Sequence, residues 1–403
     1  MNEFLWQTFH RLVNEVGTSN RRFLYEKLNV NHRLLGIVGA RGVGKTTLLL
    51  QYIKNELYSE GKAFYFSADN IYFNHVTILD FVNQLYSSQG ITIFFIDEIH
   101  KYPNWDQELK NIYDSFPRIK IIFSGSSSID LVTGAYDLSR RAKLLFLPGL
   151  SFREYLNIKT GTQLPVVTFE ELMKHHQKLA ADLSNVSMIA KHFEEYCLFG
   201  YYPIVFQNKE TLYEGLANII EKTIYEDIAN FYQLKTNNLV HFKRIIGFLG
   251  SIPPGNININ NIARHLSVDN KTAEHYLEIL KKTGMVRVLY PVAHGNQLLR
   301  KPSKVYLDNT TLHSVVNTFL SEKLDRGTQR ELAFIQFLMG AGLRIFFSNQ
   351  ADFQVNDIIF EVGGKNKTKA QLKAFKGEKK LVKDDILVGF KNEIPLYLFG
   401  FLY

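Results

Sequence analysis

Cysteine is almost absent from this 403-residue chain. Cys197 stands alone, which excludes an intrachain disulfide and any zinc site built on several thiolates; it reads as a small buried residue. Nor does any apolar run approach the roughly 18 residues that a membrane-spanning helix needs. ITIFFI at 91–96 is only strand-sized. The opening Met-Asn-Glu-Phe has neither a basic n-region nor a cleavable apolar segment, so secretion is not expected. His100 and the pair His175-His176 fall into no HExxH or paired-ligand spacing, which argues against a zinc site. Internal repeats and low-complexity tracts are missing too. With 46% hydrophobic and 21% charged residues, the expectation is a globular cytoplasmic protein of two or three domains.

The formal net charge is +8, unevenly spread. Between 365 and 383 lie Lys365, Lys367, Lys369, Lys373, Lys376, Lys379, Lys380 and Lys383, against Glu378 alone. Such a run is either a solvated face or a surface for a phosphate backbone.

Apolar strands alternate with helices over the first 150 residues. LLGIVG at 34–39, AFYFSAD at 63–69, ITIFFIDE at 91–98 and IKIIFSGSS at 119–127 read as strands. Amphipathic segments at Lys45–Leu57, Ile78–Tyr86 and 105–115 read as the helices between them, and the first 30 residues also read as largely helical. That alternation implies a parallel sheet covered on both faces. Phe152 to about Tyr232 reads as mostly helical. Residues 235–310 read as helices followed by a strand pair, and 325–403 as mixed α/β, with breaks at the PPG of 253–255 and around 293–304.

GARGVGKT at 39–46 satisfies GxxxxGK[ST], with an apolar strand before it and a helix after. Gly39, Gly42 and Gly44 let the backbone of Ala40, Arg41 and Val43 wrap a phosphate chain with its N–H groups inward, at the positive end of a helix that begins Lys45-Thr46-Thr47. Lys45 is expected to bridge the β- and γ-phosphates and the Thr46 hydroxyl to ligate Mg²⁺. IFFIDE at 93–98 ends a buried strand in two carboxylates: Asp97 beside the metal, Glu98 placed to orient and deprotonate water. Two carboxylates favour hydrolysis over nucleotide binding alone. Ser124 or Ser126, one strand further on, is a candidate to sense the γ-phosphate, and a polar turn is an equal alternative. The guanine reader Asn/Thr-Lys-x-Asp is missing: Asn208-Lys209-Glu210-Thr211 and Asn270-Lys271-Thr272-Ala273 both lack the aspartate, which favours adenine. Arg140 and Arg141 follow the fourth strand, where an arginine can stabilise transition-state charge in a neighbouring subunit.

The succession GARGVGKTTLL, IFFIDEIHKYPNW, IIFSGSSS, SRRA, LPGLSFREYL resembles the prokaryotic AAA+ ATPases of the archaeal-ATPase type, along essentially the whole chain. The resemblance implies an α/β P-loop NTPase sheet with a helical lid, ATP and Mg²⁺ as cofactors, and a C-terminal region of unknown function. The lid sequence Gly-Gly-Phe-Pro of that family is met in part by Gly-Tyr-Tyr-Pro at 200–203. Its Gly-Arg matches Arg141, with Arg140 in the place of glycine, so Arg141 is the finger candidate, which would imply homo-oligomers. The organisation expected is a P-loop core at 1–150, a helical lid or linker at 151–234, a winged helix-turn-helix at 235–312 and a restriction-endonuclease-like domain at 313–403.

INNIARHL, a turn at Ser267–Asn270, KTAEHYLEILKKTG and MVRVLYP supply the winged-helix pattern, with Ile262, Leu266, Ala273, Leu277 and Leu280 as its core. Lys271, His275, Lys281 and Lys282 are mixed with Glu274 and Glu278, so DNA binding and a protein contact are equal readings. The last domain resembles the restriction-endonuclease-like fold, in which a helix Glu, a strand Asp and a Glu-x-Lys triplet bind Mg²⁺. Glu331, Asp352 and Glu361 fit the acidic positions, but Glu361-Val362-Gly363 has glycine where the lysine belongs, with Lys365 or Lys369 as shifted substitutes. A non-cleaving module is therefore favoured there, with cleavage as the alternative. The functional expectation is a Mg²⁺-dependent ATPase that moves C-terminal binding domains against DNA or a protein client, with no membrane role. The alternatives are a nucleotide-gated signalling switch with little turnover and an ATP-powered nuclease.

Overall fold

The computed structural model describes residues 2–126, 138, 140–183, 186–207, 211–232, 234–254, 258–292, 304–348, 350–367 and 377–403. The chain divides into two compact units, Met1–Gly149 and Leu150–Tyr403.

Five strands form the sheet of the first unit: β1 (Leu34–Gly39), β2 (Ala63–Ser67), β3 (Ile93–Asp97), β4 (Lys120–Ser126) and β5 (Lys143–Phe146). They lie in the order β2-β3-β4-β1-β5, and every pairing is parallel. β1 and β3 are buried along their whole length, as expected of strands covered on both faces. The helices α1 (Asn2–Glu15), α2 (Lys45–Tyr52), α3 (Ile78–Gln89) and α4 (Trp105–Ser115) alternate with the strands. Phenylalanine fills the interior: Phe64 meets Phe9 at 5.1 Å and Phe81 at 5.8 Å between ring centroids. Each such ring contributes about 1.5–3 kcal/mol by leaving water.

Two expectations shift here. The initial helix stops at Glu15, and the helix after the glycine-rich turn is α-helical only to Tyr52, its last turn, Ile53–Leu57, being a wide π-type turn. β5 was not expected at all.

In the second unit, the helices Thr236–Ser251, Ile259–Leu266 and Asn270–Lys282 precede an antiparallel ladder of β6 (Val286–Leu289) and β7 (Lys304–Leu307). Asp269 caps the third of these helices by accepting from the Thr272 N–H at 2.9 Å. Ile262, Leu266, Ala273 and Leu280 are buried as expected, joined by Tyr276 and Ile279, whereas Leu277 is only half-buried.

A mixed sheet follows, β8 (Phe346–Phe347), β9 (Phe353–Val355), β10 (Ile358–Gly363), β11 (Glu378–Lys383) and β12 (Glu393–Pro395), in the order β12-β11-β10-β9-β8. The helix Arg326–Gly340 lays Phe334 on Phe353, Phe360 and Phe399, with centroids 5.5, 5.2 and 4.9 Å apart. The stretch expected as a helical lid or linker shares this interior: Phe152, Phe193 and Tyr196 belong to the same core as Phe337 and Phe401. The helix Phe152–Thr160 starts in a capping box, Ser151 and Glu154 each accepting from the other's backbone N–H.

Candidate functional site

The loop between β1 and α2 has the conformation a phosphate cradle requires. Gly42 (φ 82°) and Gly44 (φ 96°) are left-handed, which turns successive N–H groups to one side at the start of a helix. Gly39 is needed for a different reason: a Cβ there would lie 2.3 Å from the Leu147 carbonyl oxygen, where the segment leaving β5 crosses the base of the loop. Buried Arg22 ties the same parts together, donating to the Val43 carbonyl and to those of Pro148 (2.7 Å) and Gly149 (3.0 Å). Sequence reasoning missed Arg22, since nothing marks an arginine ahead of the first strand as part of a loop 20 residues on.

Lys45 is buried, its ammonium donating to the carbonyls of Gly39 (2.9 Å) and Ala40 (3.1 Å). Thr46 donates to Asp97 Oδ2 at 2.5 Å, so the two residues expected around a metal ion meet across the sheet. β4 lies between β1 and β3, and its Ser124 donates to Asp97 Oδ1. Tyr65, from β2, donates to Oδ2 at 2.9 Å. Burial and the Asp97 charge push the Tyr65 phenol far above its ordinary value, which keeps it a donor. Tyr65 was not foreseen: on a buried strand an aromatic reads as core. Ser126 pairs with Gly39 in the strand register; its side chain lies outside what is described.

Glu98 follows Asp97 in a left-handed conformation (φ 51°), an uncommon one for a residue with a Cβ. Its N–H donates to Asp97 Oδ1 at 3.1 Å and to Ser124 Oγ at 3.3 Å. Its carboxylate lies 3.6 Å from His100 Nε2 and 4.0 Å from Lys101 Nζ, and Lys101 also pairs with Asp69 at 3.1 Å. Burial raises the Glu98 carboxyl above its ordinary value; the Lys45 charge opposes this and Asp97 adds to it. Arg41 also acts on Glu98 electrostatically, while Thr47 is exposed. A threonine hydroxyl beside an aspartate oxygen is a hard-oxygen donor set of the kind magnesium takes together with substrate phosphates.

Arg141 is not brought to this cluster. It pairs with Asp114 at 3.2 Å, with its guanidinium 5.9 Å from the Tyr113 ring. Those residues end α4, and Arg33, which also stacks on Tyr113, immediately precedes β1. Arg141 therefore sits at the end of the sheet where β1 begins, opposite the phosphate loop.

The three carboxylates of the second unit do interact. Glu331 accepts from the Tyr306 hydroxyl at 2.6 Å, and Asp352 Oδ2 from the Val362 N–H at 2.8 Å. Glu361 is fully buried. Burial raises both glutamates, and the Asp352 charge raises them further. Among the described residues Lys367 lies 2.7 Å from Glu361 Oε1 and 3.8 Å from Asp352 Oδ2, and Lys304 also acts on Glu331 electrostatically. Of the expected substitutes, Lys365 is exposed, and Lys369 lies outside the described residues. The basic run is also partly neutralised, Lys380 pairing with Glu378 and Lys383 with Glu393, both at 3.0 Å, while Lys373 and Lys376 are outside the described residues. Among the described residues no group of three or more His, Cys, Asp or Glu is placed to hold a metal ion, and no helix is long and apolar enough to cross a membrane.

Residues 31–156 match a family model described as an AAA domain, and residues 190–322 one described as a domain of unknown function (DUF8612). No curated protein matches the chain. Among solved structures, it is similar to AMPPCP-bound DnaA from Aquifex aeolicus, at 16% identity, over 70% of this chain and 88% of that one, with a TM-score of 0.28. A replication initiator DnaA bound to AMPPCP and single-stranded DNA is 19% identical over 68% and 88%, with a TM-score of 0.26. PCH-2 of C. elegans is 12% identical over 68% and 67%, also at 0.26. The first unit is an α/β P-loop fold of AAA type.

Proposed function

We propose that this chain is a magnesium-dependent ATPase whose nucleotide state moves parts of its second unit against a partner, either DNA or a protein client. The observation that carries the reading is the convergence of Lys45, Thr46 and Asp97 at the mouth of a loop with left-handed Gly42 and Gly44. On this reading Lys45 exchanges the carbonyls of Gly39 and Ala40 for the β- and γ-phosphates. Thr46 and Asp97 would hold the metal ion, which would supply charge neutralisation at the phosphates when bound. Glu98 takes the proton of the attacking water, a role that suits a carboxyl lifted toward neutrality by burial. Adenine is preferred because the guanine-reading motif is missing. Arg141, paired with Asp114, is assigned to a neighbouring copy, with no part in catalysis as the alternative.

We read the helices from Thr236 to Lys282 and the β6–β7 ladder as a winged helix-turn-helix and assign them the partner contact. The test is ATP turnover by the purified chain, with and without single- and double-stranded DNA. Stimulation supports a nucleic-acid surface, and turnover indifferent to DNA moves the partner to a protein. Slow turnover with stable ATP occupancy would favour the signalling switch.

One observation favours a second reading, that the last sheet cleaves phosphodiesters: Lys367 supplies, from a turn, the cation the Glu-x-Lys triplet lacks. Plasmid nicking with Mg²⁺ or Mn²⁺ that is lost in Glu361→Ala would support it, and no cleavage with either metal would sink it.

A further inference from the structure

Asp97 accepts more hydroxyl donors than a metal-binding pair needs. Thr46 and Tyr65 share Oδ2, at 2.5 and 2.9 Å, while Ser124 and the Glu98 N–H converge on Oδ1. These donors differ in what happens to them when a nucleotide arrives. On the ATPase reading, on which this inference rests, the Thr46 oxygen would also ligate the cation, so Asp97 would share that donor with the metal. Tyr65 approaches from β2, an edge strand outside the phosphate loop, and is 5% exposed. Its register partner is Phe95, while Asp97 pairs with Ser67, so the phenol reaches along the strand to find the carboxylate. A phenylalanine would fill the same apolar space; the hydroxyl is what Asp97 uses.

We propose that Tyr65 is a positioning residue for the divalent cation, fixing the Asp97 carboxylate through an Oδ2 donor that the cation does not share. Its role resembles that of the outer partners that orient metal-ligating carboxylates, whose loss weakens metal binding by roughly 10–100-fold.

The test uses the full-length chain and Tyr65→Phe, which keeps the ring. Mn²⁺ affinity is read by electron paramagnetic resonance in the presence of AMPPCP, and nucleotide affinity with a fluorescent ATP analogue in EDTA. The expected result is roughly tenfold weaker Mn²⁺ binding, at the low end of that range, with metal-free nucleotide affinity unchanged. Unchanged Mn²⁺ affinity overturns the proposal. An equal loss of metal-free nucleotide affinity also overturns it, marking Tyr65 as a packing residue. If the unsubstituted chain binds no nucleotide, the phosphate-site reading fails first and this inference falls with it. Ser124→Ala, which removes only an Oδ1 donor, is the comparison: a drop in Mn²⁺ affinity as large as that of Tyr65→Phe would refute a special part for Oδ2.

Discussion

Substituting Lys367 by methionine isolates what holds the last sheet together around its buried acid. Glu361 has no exposed surface in the middle of β10, and its Oε1 lies 2.7 Å from the Lys367 ammonium. Methionine keeps the apolar stem and removes the charge. Stripping one partner from a fully buried pair costs about 3–5 kcal/mol. Because the Lys367 side chain is 32% exposed, solvent screening trims this to about 1.5–3 kcal/mol. Glu361→Gln leaves no buried charge and is expected to cost only about 1 kcal/mol. The double variant should recover part of the Lys367→Met loss, a coupling of about 1–2 kcal/mol.

The pH dependence has a definite sign. Burial raises the Glu361 carboxyl and Lys367 opposes that rise, so the variant's value climbs further above the ordinary 4.5. A folded state that holds its proton longer than the unfolded chain is most stable below 4.5 and loses that advantage as pH rises through the raised folded value. The deficit of Lys367→Met must therefore be larger at pH 8 than at pH 5. Trp6 and Trp105 both lie in the first unit, so tryptophan fluorescence does not read this event. Hydrogen exchange of the strand Ile358–Gly363, corrected for intrinsic rates, does. A variant strand that opens no more readily than the unsubstituted one at pH 8 refutes the reasoning.

Lys45→Ala should lose roughly 30–150-fold in ATP affinity, the equivalent of about 2–3 kcal/mol from one charge-assisted contact; isothermal titration reads it directly. Glu98→Gln should bind ATP normally yet turn it over roughly 10²–10⁴-fold more slowly, and hydrolysis at the unsubstituted rate would remove Glu98 from its assigned role. Arg141→Ala should leave ATP binding by a single chain unchanged; weaker binding by a monomer would contradict its position beside Asp114. Gly39→Ala drives a methyl against the Leu147 carbonyl and should lower the first unit's stability by about 1–3 kcal/mol, which tryptophan-monitored unfolding would detect.

The phosphate loop was legible in the sequence because its chemistry is local: glycines at fixed offsets, one lysine and one threonine at a helix start. β3 ending in Asp97 was readable for the same reason. What escaped was supplied from a distance. Arg22 and Tyr65 belong to segments whose own patterns carry no sign of the loop they serve. β5, four half-exposed or exposed residues, has neither alternation nor a long apolar run to announce it. Lys367 was not singled out because nothing in the sequence after Glu361 marks where the strand ends. Beyond Gly363 the chain turns, the Lys367 N–H donating to the Gly364 carbonyl at 2.9 Å, and that turn swings the third residue back over the sheet. The stretch from Phe152 read as mostly helical, but helical periodicity names a buried face and not what covers it.

That shared interior bears on how the chain is made. Phe152 lies 5.9 Å from Phe401, and the Val167 N–H donates to the Phe401 carbonyl at 2.9 Å, contacts that span well over two hundred positions. Loops of that length are slow to close. On the ribosome the first unit can finish its sheet while the helices after Ser151 still wait with an open apolar face. The interval before residue 400 emerges is therefore the window in which a chaperone has most to cover, and a nascent chain stalled short of it should stay protease-sensitive from Phe152 onward.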